Sequence, residues 1–142
     1  MKSIKDHRNL DDKYVLLRLD LNVPLNNGIV TDQTRIDKIL PIINFLLSKN
    51  SRIIVISHVG RPNGKKNNNL SMRPICKNLE DKINKKIKLI NNDIFKLKKE
   101  DLFKDKEDEI IFLENIRFYK EEEKNDTSFA KQLASLADLF VN

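Results

Sequence analysis

Three short polar runs along this chain share a theme. Asp20-Leu21-Asn22, His58-Val59-Gly60-Arg61 and Glu114-Asn115-Ile116-Arg117 each follow an aliphatic stretch, and Arg35 follows a helix-start signal at Thr31-Asp32. Arginine's planar fork grips phosphate or carboxylate through two parallel charge-assisted hydrogen bonds. Three arginines and a histidine on one rim would therefore suit a small, highly anionic ligand. Asp20 would repel that anion if it faced it, so its useful role is to accept a hydrogen bond from a ligand hydroxyl, with Asn22 beside it. Gly60 lets the backbone turn closely between His58 and Arg61.

Taken singly, each residue has a purely structural reading. Arg35 could pair with Asp32, and Arg117 with Glu121 four residues on or Glu114 three residues back. His58 could be a partly buried imidazole, and Asp20 and Asn22 turn residues ahead of Pro24. The group stands above its members because it recurs after several strands. In an open parallel sheet the ligand crevice lies beyond the carboxyl ends of the strands.

The elements that must position these residues follow from the apolar pattern. Tyr14 to Leu19, Arg52 to Ser57, Ile87 to Ile90 and Ile110 to Leu113 are short β-rich runs of the kind buried on both faces of a parallel sheet, and Leu139 to Val141 begins a fifth. Between them lie helical periods. Ile36, Ile39, Leu40, Ile43 and Leu47 form one, and Ile75, Leu79 and Ile83 form another, with Pro74 in its first turn. A further helix is expected from about Thr127 to Ala137. Alternating strands and helices predict an α/β fold, a Rossmann-like doubly wound parallel sheet with helices on both faces. The Gly64 to Asn69 patch is expected to be a mobile surface loop. Val141-Asn142 breaks off on a strand, so the domain is expected to be truncated.

Composition narrows the function classes. The 142 residues are 39% hydrophobic and 34% charged, enough for one domain with a single core. The net charge of +6 raises a nucleic acid partner as a question. Lysines, however, alternate with acids in Lys98 to Asp101 and Lys104 to Glu109, as on a solvated face, and no aromatic residues are interleaved for stacking. Nucleic acid is not the expected partner. No apolar run approaches the roughly 20 residues needed to cross a bilayer, so the chain reads as soluble. The single cysteine, Cys76, reads as a small buried thiol in a reducing, cytoplasmic compartment. His7 and His58 are far apart, and no zinc-ligand spacing occurs. Three glycines leave little room for a phosphate-cradling loop. Glu121 to Glu123 reads as a solvated turn, not a metal site.

At the same polar runs the sequence resembles the N-terminal domain of the phosphoglycerate kinase family. Leu17-Arg-Leu-Asp-Leu-Asn-Val-Pro24 is similar to the family's first strand and substrate loop, and Thr31-Asp32-x-x-Arg35-Ile36 to the segment after it. Ser57-His-Val-Gly-Arg-Pro62 is similar to the second substrate loop. Leu113-Glu-Asn-Ile-Arg-Phe118, Glu122 to Asp126 and Phe129 to Asp138 complete the series. Leu21 stands where phenylalanine is more usual, and Tyr119 where histidine is often found.

The resemblance implies reversible phosphoryl transfer between ATP and 3-phosphoglycerate, giving 1,3-bisphosphoglycerate, in a two-domain glycolytic enzyme. Residues 1–142 would be an incomplete phosphoglycerate-binding domain. The nucleotide-binding domain, with its Mg-ATP or Mg-ADP, would lie outside the chain, and the full-length enzyme would be a monomer. Carried over by position, His58, Arg61 and Arg117 hold the substrate phosphate, while Asp20 and Asn22 fix its hydroxyl and carboxylate end. Leu21, Val59 and Gly60 belong to the same loops, and Arg35 neutralises the phosphoryl group in flight. Alone, the chain is expected to be inactive. The other classes in play are a free-standing anion- or nucleic-acid-binding module and a non-functional truncation product.

Overall fold

The structure, a computed structural model, describes residues 11–105 and 110–142. His7 and the end of the charged run, Lys106 to Glu109, lie outside the described residues.

Five parallel strands form the central sheet: β1 (Tyr14–Arg18), β4 (Arg52–Ile56), β5 (Ile87–Ile90), β6 (Ile110–Leu113) and β7 (Leu139–Val141), in spatial order β5-β6-β4-β1-β7. Between β1 and β4 lie a small antiparallel hairpin, β2 (Leu25–Asn26) and β3 (Ile29–Val30), and the helix α1 (Thr34–Ser48). Helix α2 (Arg73–Ile83) joins β4 to β5. The short α3 (Lys99–Leu102) precedes β6, and α4 (Lys120–Glu123) and α5 (Thr127–Ala134) precede β7.

Strand side chains alternate between two cores, which is why near-continuous aliphatic runs were needed. Val15, Leu17, Ile53, Val55 and Phe112 pack against Ile36, Ile43 and Leu46 of α1 and Ile75, Cys76 and Leu79 of α2. Leu16, Ile54, Ile56, Ile111 and Leu113 face the other way, onto Leu102 of α3, Phe129 and Leu133 of α5, and Leu136. The chain thus winds outward from β1 with its helices on one face and returns with them on the other. This is the doubly wound arrangement the right-handed crossover rule requires. Each fully buried aliphatic side chain contributes about 1.5–3 kcal/mol of transfer free energy. The cores therefore fix the strand ends to which the polar loops are attached.

Several local features differ from the expectation. The hairpin was signalled by Asn27-Gly28, both at positive φ (51° and 74°), the dipeptide that best accommodates a tight two-residue β-turn. Helix α5 stops at Ala134 and not Ala137. Leu136 and Ala137 bond three residues back, to Leu133 and Ala134, and Asp138 is drawn to β1, its N–H donating to Tyr14 O and its carboxylate accepting from Tyr14 N. The Gly64 to Asn69 segment is the surface loop expected, with Lys65 to Asn69 exposed. Gly64 N–H donates to Arg117 O at 3.0 Å, a Cβ at Gly64 would collide with Lys120, and Asn67 caps the single turn Asn68–Leu70. Cys76 is the buried thiol expected, 5% exposed, and burial is the main cause that pushes its pKa far up. Strand β7 pairs with β1 alone among the described residues, and its Phe140 is 57% exposed.

Candidate functional site: an arginine rim at the carboxyl end of the sheet

Strands β6, β4 and β1 are neighbours and parallel, so the loops after Leu113, Ile56 and Arg18 leave the same edge of the sheet. Hydrogen bonds then knit the loops to one another. Leu21 N–H donates to Ser57 Oγ at 3.1 Å, and Gly60 N–H to Asn22 Oδ1 at 2.9 Å, joining the first loop to the second. Ile116 N–H donates to Ser57 O, joining the third.

Asn115, completely buried, is the hub of the third loop. Its Nδ2 donates to Val59 O at 2.8 Å and to Leu70 O at 2.9 Å, and its Oδ1 accepts from Arg117 N at 3.1 Å. Gly60, at φ 64°, makes the turn the glycine was expected to supply. Glu114 does not pair with Arg117. It accepts from Met72 N, Ser71 Oγ and Asn115 N, and so anchors the start of α2.

The candidate residues occupy different stations on this rim. Arg35 Nη1 donates to Asp20 Oδ1 at 3.0 Å and to Asn22 O at 2.8 Å, so its partner is Asp20 and not Asp32. Asp32 instead accepts from Thr34 N and Oγ1 at the head of α1, and those hydrogen bonds lower its pKa. Leu21 and Val59 belong to the rim through their backbones, their side chains lying in the core. His58 is partly buried; that burial lowers its pKa below 6.5, Arg117 and Arg18 push the same way, and Glu122 and Asp20 oppose them. Arg61 is exposed, without a hydrogen-bond or ion-pair partner among the described residues. A cleft of about 700 Å³ opens beside the rim, lined by Asn22, Val59 and Gly60 on one side and by Asn27, Gly28 and Leu70 on the other. No arginine belongs to its lining.

Two residues at the rim escaped sequence reasoning. Arg18, the last residue of β1, donates to Glu122 Oε1 at 2.7 Å, and Arg117 Nε lies 3.4 Å from Glu122 Oε2. The latter contact is a Coulombic pair without hydrogen-bond geometry, so this buried Nε has no acceptor. The Glu121 to Glu123 segment is therefore not a solvated turn: it forms α4, and the Glu122 side chain is only 8% exposed. Tyr119 points elsewhere. Its hydroxyl accepts from Ile94 N at 2.9 Å, and its ring packs against Phe129.

Among the described residues no helix is long and apolar enough to cross a membrane, and no group of three or more His, Cys, Asp or Glu residues is placed to hold a metal ion.

Fold and rim together define a doubly wound α/β unit whose carboxyl edge carries Asp20, Asn22, His58, Arg61 and Arg117 on three adjoining loops. The family model for phosphoglycerate kinase matches residues 4–142, and the chain belongs to that family. It is 48% identical over 143 residues to the phosphoglycerate kinase of Dictyoglomus turgidum, covering 99% of this chain and 36% of that protein. To that of Wolbachia pipientis it is 49% identical over 136 residues, covering 94% and 33%. The solved phosphoglycerate kinase from Coxiella burnetii superposes with a TM-score of 0.83 at 36% identity, over 96% of this chain and 33% of that one. The chain thus spans about a third of the length of the relatives it matches.

Proposed function

We propose that this chain supplies the phosphoglycerate side of a phosphoglycerate kinase, which moves a phosphoryl group reversibly between ATP and 3-phosphoglycerate in glycolysis. The observation that supports the reading is the hydrogen-bonded union at one sheet edge of the three loops that carry Asp20, Asn22, His58, Arg61 and Arg117, with Arg35 bonded to the first of them. In this reading His58, Arg61 and Arg117 receive the phosphate of the substrate. Asp20 and Asn22 hold its hydroxyl and carboxylate end. Arg35 leaves Asp20 to neutralise charge on the transferring group, since phosphoryl transfer is mostly a matter of positioning and electrostatic stabilisation.

Residues 1–142 would be part of a substrate domain in a cytoplasmic enzyme that works as a monomer. In this reading the magnesium nucleotide belongs to the other domain, in keeping with a chain of three glycines that carries no glycine-rich phosphate loop. The nucleotide domain would be residues beyond these 142, and this chain alone would transfer no phosphoryl group.

The test is titration of the ¹⁵N-labelled chain with 3-phosphoglycerate. Shifts at His58, Gly60, Arg61 and Arg117 that glycerate does not reproduce, with Asp20 and Asn22 responding to both ligands, are expected. Equal responses to glycerate and phosphoglycerate would remove the phosphate-binding roles, and turnover of ATP by the isolated chain would overturn the division of labour.

A further inference from the structure

Glu122 is a carboxylate buried among cations at a rim built for anions, where a negative charge should by itself weaken binding. Its side chain is 8% exposed, against 38% for Arg18 and 30% for Arg117. Its two oxygens are divided between them: Oε1 accepts from Arg18 Nη2 at 2.7 Å, and Oε2 faces Arg117 Nε at 3.4 Å. Glu123 adds a distant contact to the same Nε, at 4.0 Å.

The atoms used are informative. Glu122 meets Arg117 on its Nε edge through charge alone, without a hydrogen bond, and no described residue accepts a hydrogen bond from either of its terminal nitrogens. That leaves the flat Nη1/Nη2 end, the edge that grips a phosphate through two parallel bonds, without a partner among the described residues. The backbone of Arg117 is fixed separately, its N–H by Asn115 Oδ1 and its C=O by Gly64 N. The main chain is thus fixed by hydrogen bonds, and the guanidinium is faced by the charge of Glu122. Arg18 is brought to the same carboxylate from a strand 104 residues away, so one side chain sets the spacing of two guanidinium groups.

We propose that Glu122 is a positioning residue for the anion site, orienting Arg117 and Arg18 toward a bound phosphate at the expense of local positive charge. The proposal rests on the phosphoglycerate reading above for the identity of the ligand, but not for its sign: charge alone and positioning predict opposite effects. Removing the carboxylate would strengthen phosphate binding if Glu122 were only a counter-charge. If it orients the arginines, each must pay its rotamer entropy on binding, and affinity falls.

The experiment measures dissociation constants of the 142-residue chain for inorganic phosphate and 3-phosphoglycerate by calorimetry, for wild type, Glu122→Gln and Glu122→Asp. About tenfold weaker binding is expected for Glu122→Gln, the order given by immobilising one or two long side chains. Glu122→Asp, which keeps the charge but retreats by one methylene, is expected to lose severalfold; it decides the matter should the glutamine variant not fold. Unchanged or tighter binding in a folded variant overturns the proposal. If wild type binds neither ligand, the phosphoglycerate reading falls. The positioning claim is then decided by the Nε–H resonances of Arg18 and Arg117: distinct in wild type and averaged in Glu122→Gln supports it, while identical spectra sink it.

Discussion

Asn115 and Asp20 both lie in loops at the carboxyl end of the same sheet, yet they hold their surroundings in opposite ways. Asn115 is fully buried, and all of its side-chain bonds run to backbone atoms: Val59 O, Leu70 O and Arg117 N. Asp20 is exposed, and its main partner is a side chain, Arg35, which is itself 49% exposed. A buried polar group that loses its partners costs its full desolvation, whereas an exposed ion pair exchanges its partner for water at little cost. One half of the rim is therefore fixed by the fold, and the other is free to exchange partners. That division suits the proposed site, in which the loops around Asn115 stay in place while Arg35 changes partner.

The largest expected effect comes from breaking the fixed half. Asn115→Ala would leave Val59 O, Leu70 O and Arg117 N without this partner and should destabilise the chain by about 3 kcal/mol, the low end of roughly 1–3 kcal/mol for each of three groups, because two of the three bonds are only partly buried. Urea unfolding at equal slope measures it. A loss below about 1 kcal/mol would mean that water replaces the asparagine, and the contrast with Asp20 would disappear.

A smaller effect should come from His58, which sits where the two halves meet. Its folded-state pKa is depressed below 6.5, chiefly by burial, with Arg117 next and Arg18 adding to it, while Glu122 and Asp20 pull the other way. The unfolded chain therefore binds more protons than the folded one between the depressed value and 6.5. Stability must rise with pH across that window and be lost as pH falls through it. Above 6.5 both states are neutral and the contribution levels off. Urea midpoints of wild type against His58→Gln, followed with pH, should show this slope in the wild type only. A difference that slopes the other way would put His58 under the control of Asp20 and Glu122.

The same contrast explains what the sequence could and could not disclose. The five strands were legible because burial on both faces demands aliphatic runs such as Arg52 to Ser57, and α1 and α2 because one face of each meets the core. The hairpin at Leu25 to Val30 left its signal in Asn27-Gly28, but two-residue strands are too short to show alternation. Asn115 was legible as polar and well placed, but not as a hub, because two of its acceptors are backbone carbonyls that carry no residue identity. Arg18 and Glu122 were missed for another reason. Their pairing spans 104 residues, and Arg18, embedded in the run Val15-Leu-Leu-Arg-Leu19, looks like a strand residue turned to solvent.

The smallest effect is also the sharpest test of the comparison. In a double-mutant cycle on Asp20→Ala and Arg35→Ala, the coupling in stability should be about 0.5 kcal/mol or less, and should fade further in high salt, because both groups are largely exposed. Asp20 also accepts from Asn22 N at 3.3 Å, so the single aspartate change carries a small cost of its own that the cycle subtracts. A coupling above about 1.5 kcal/mol would place the pair among interactions made in a desolvated setting. Arg35 would then be held as firmly as the Asn115 corner is, and it could not leave Asp20 for a ligand without a matching loss of affinity. A weak coupling means that the arginine can be drawn away by any phosphate able to offer two oxygens in place of one.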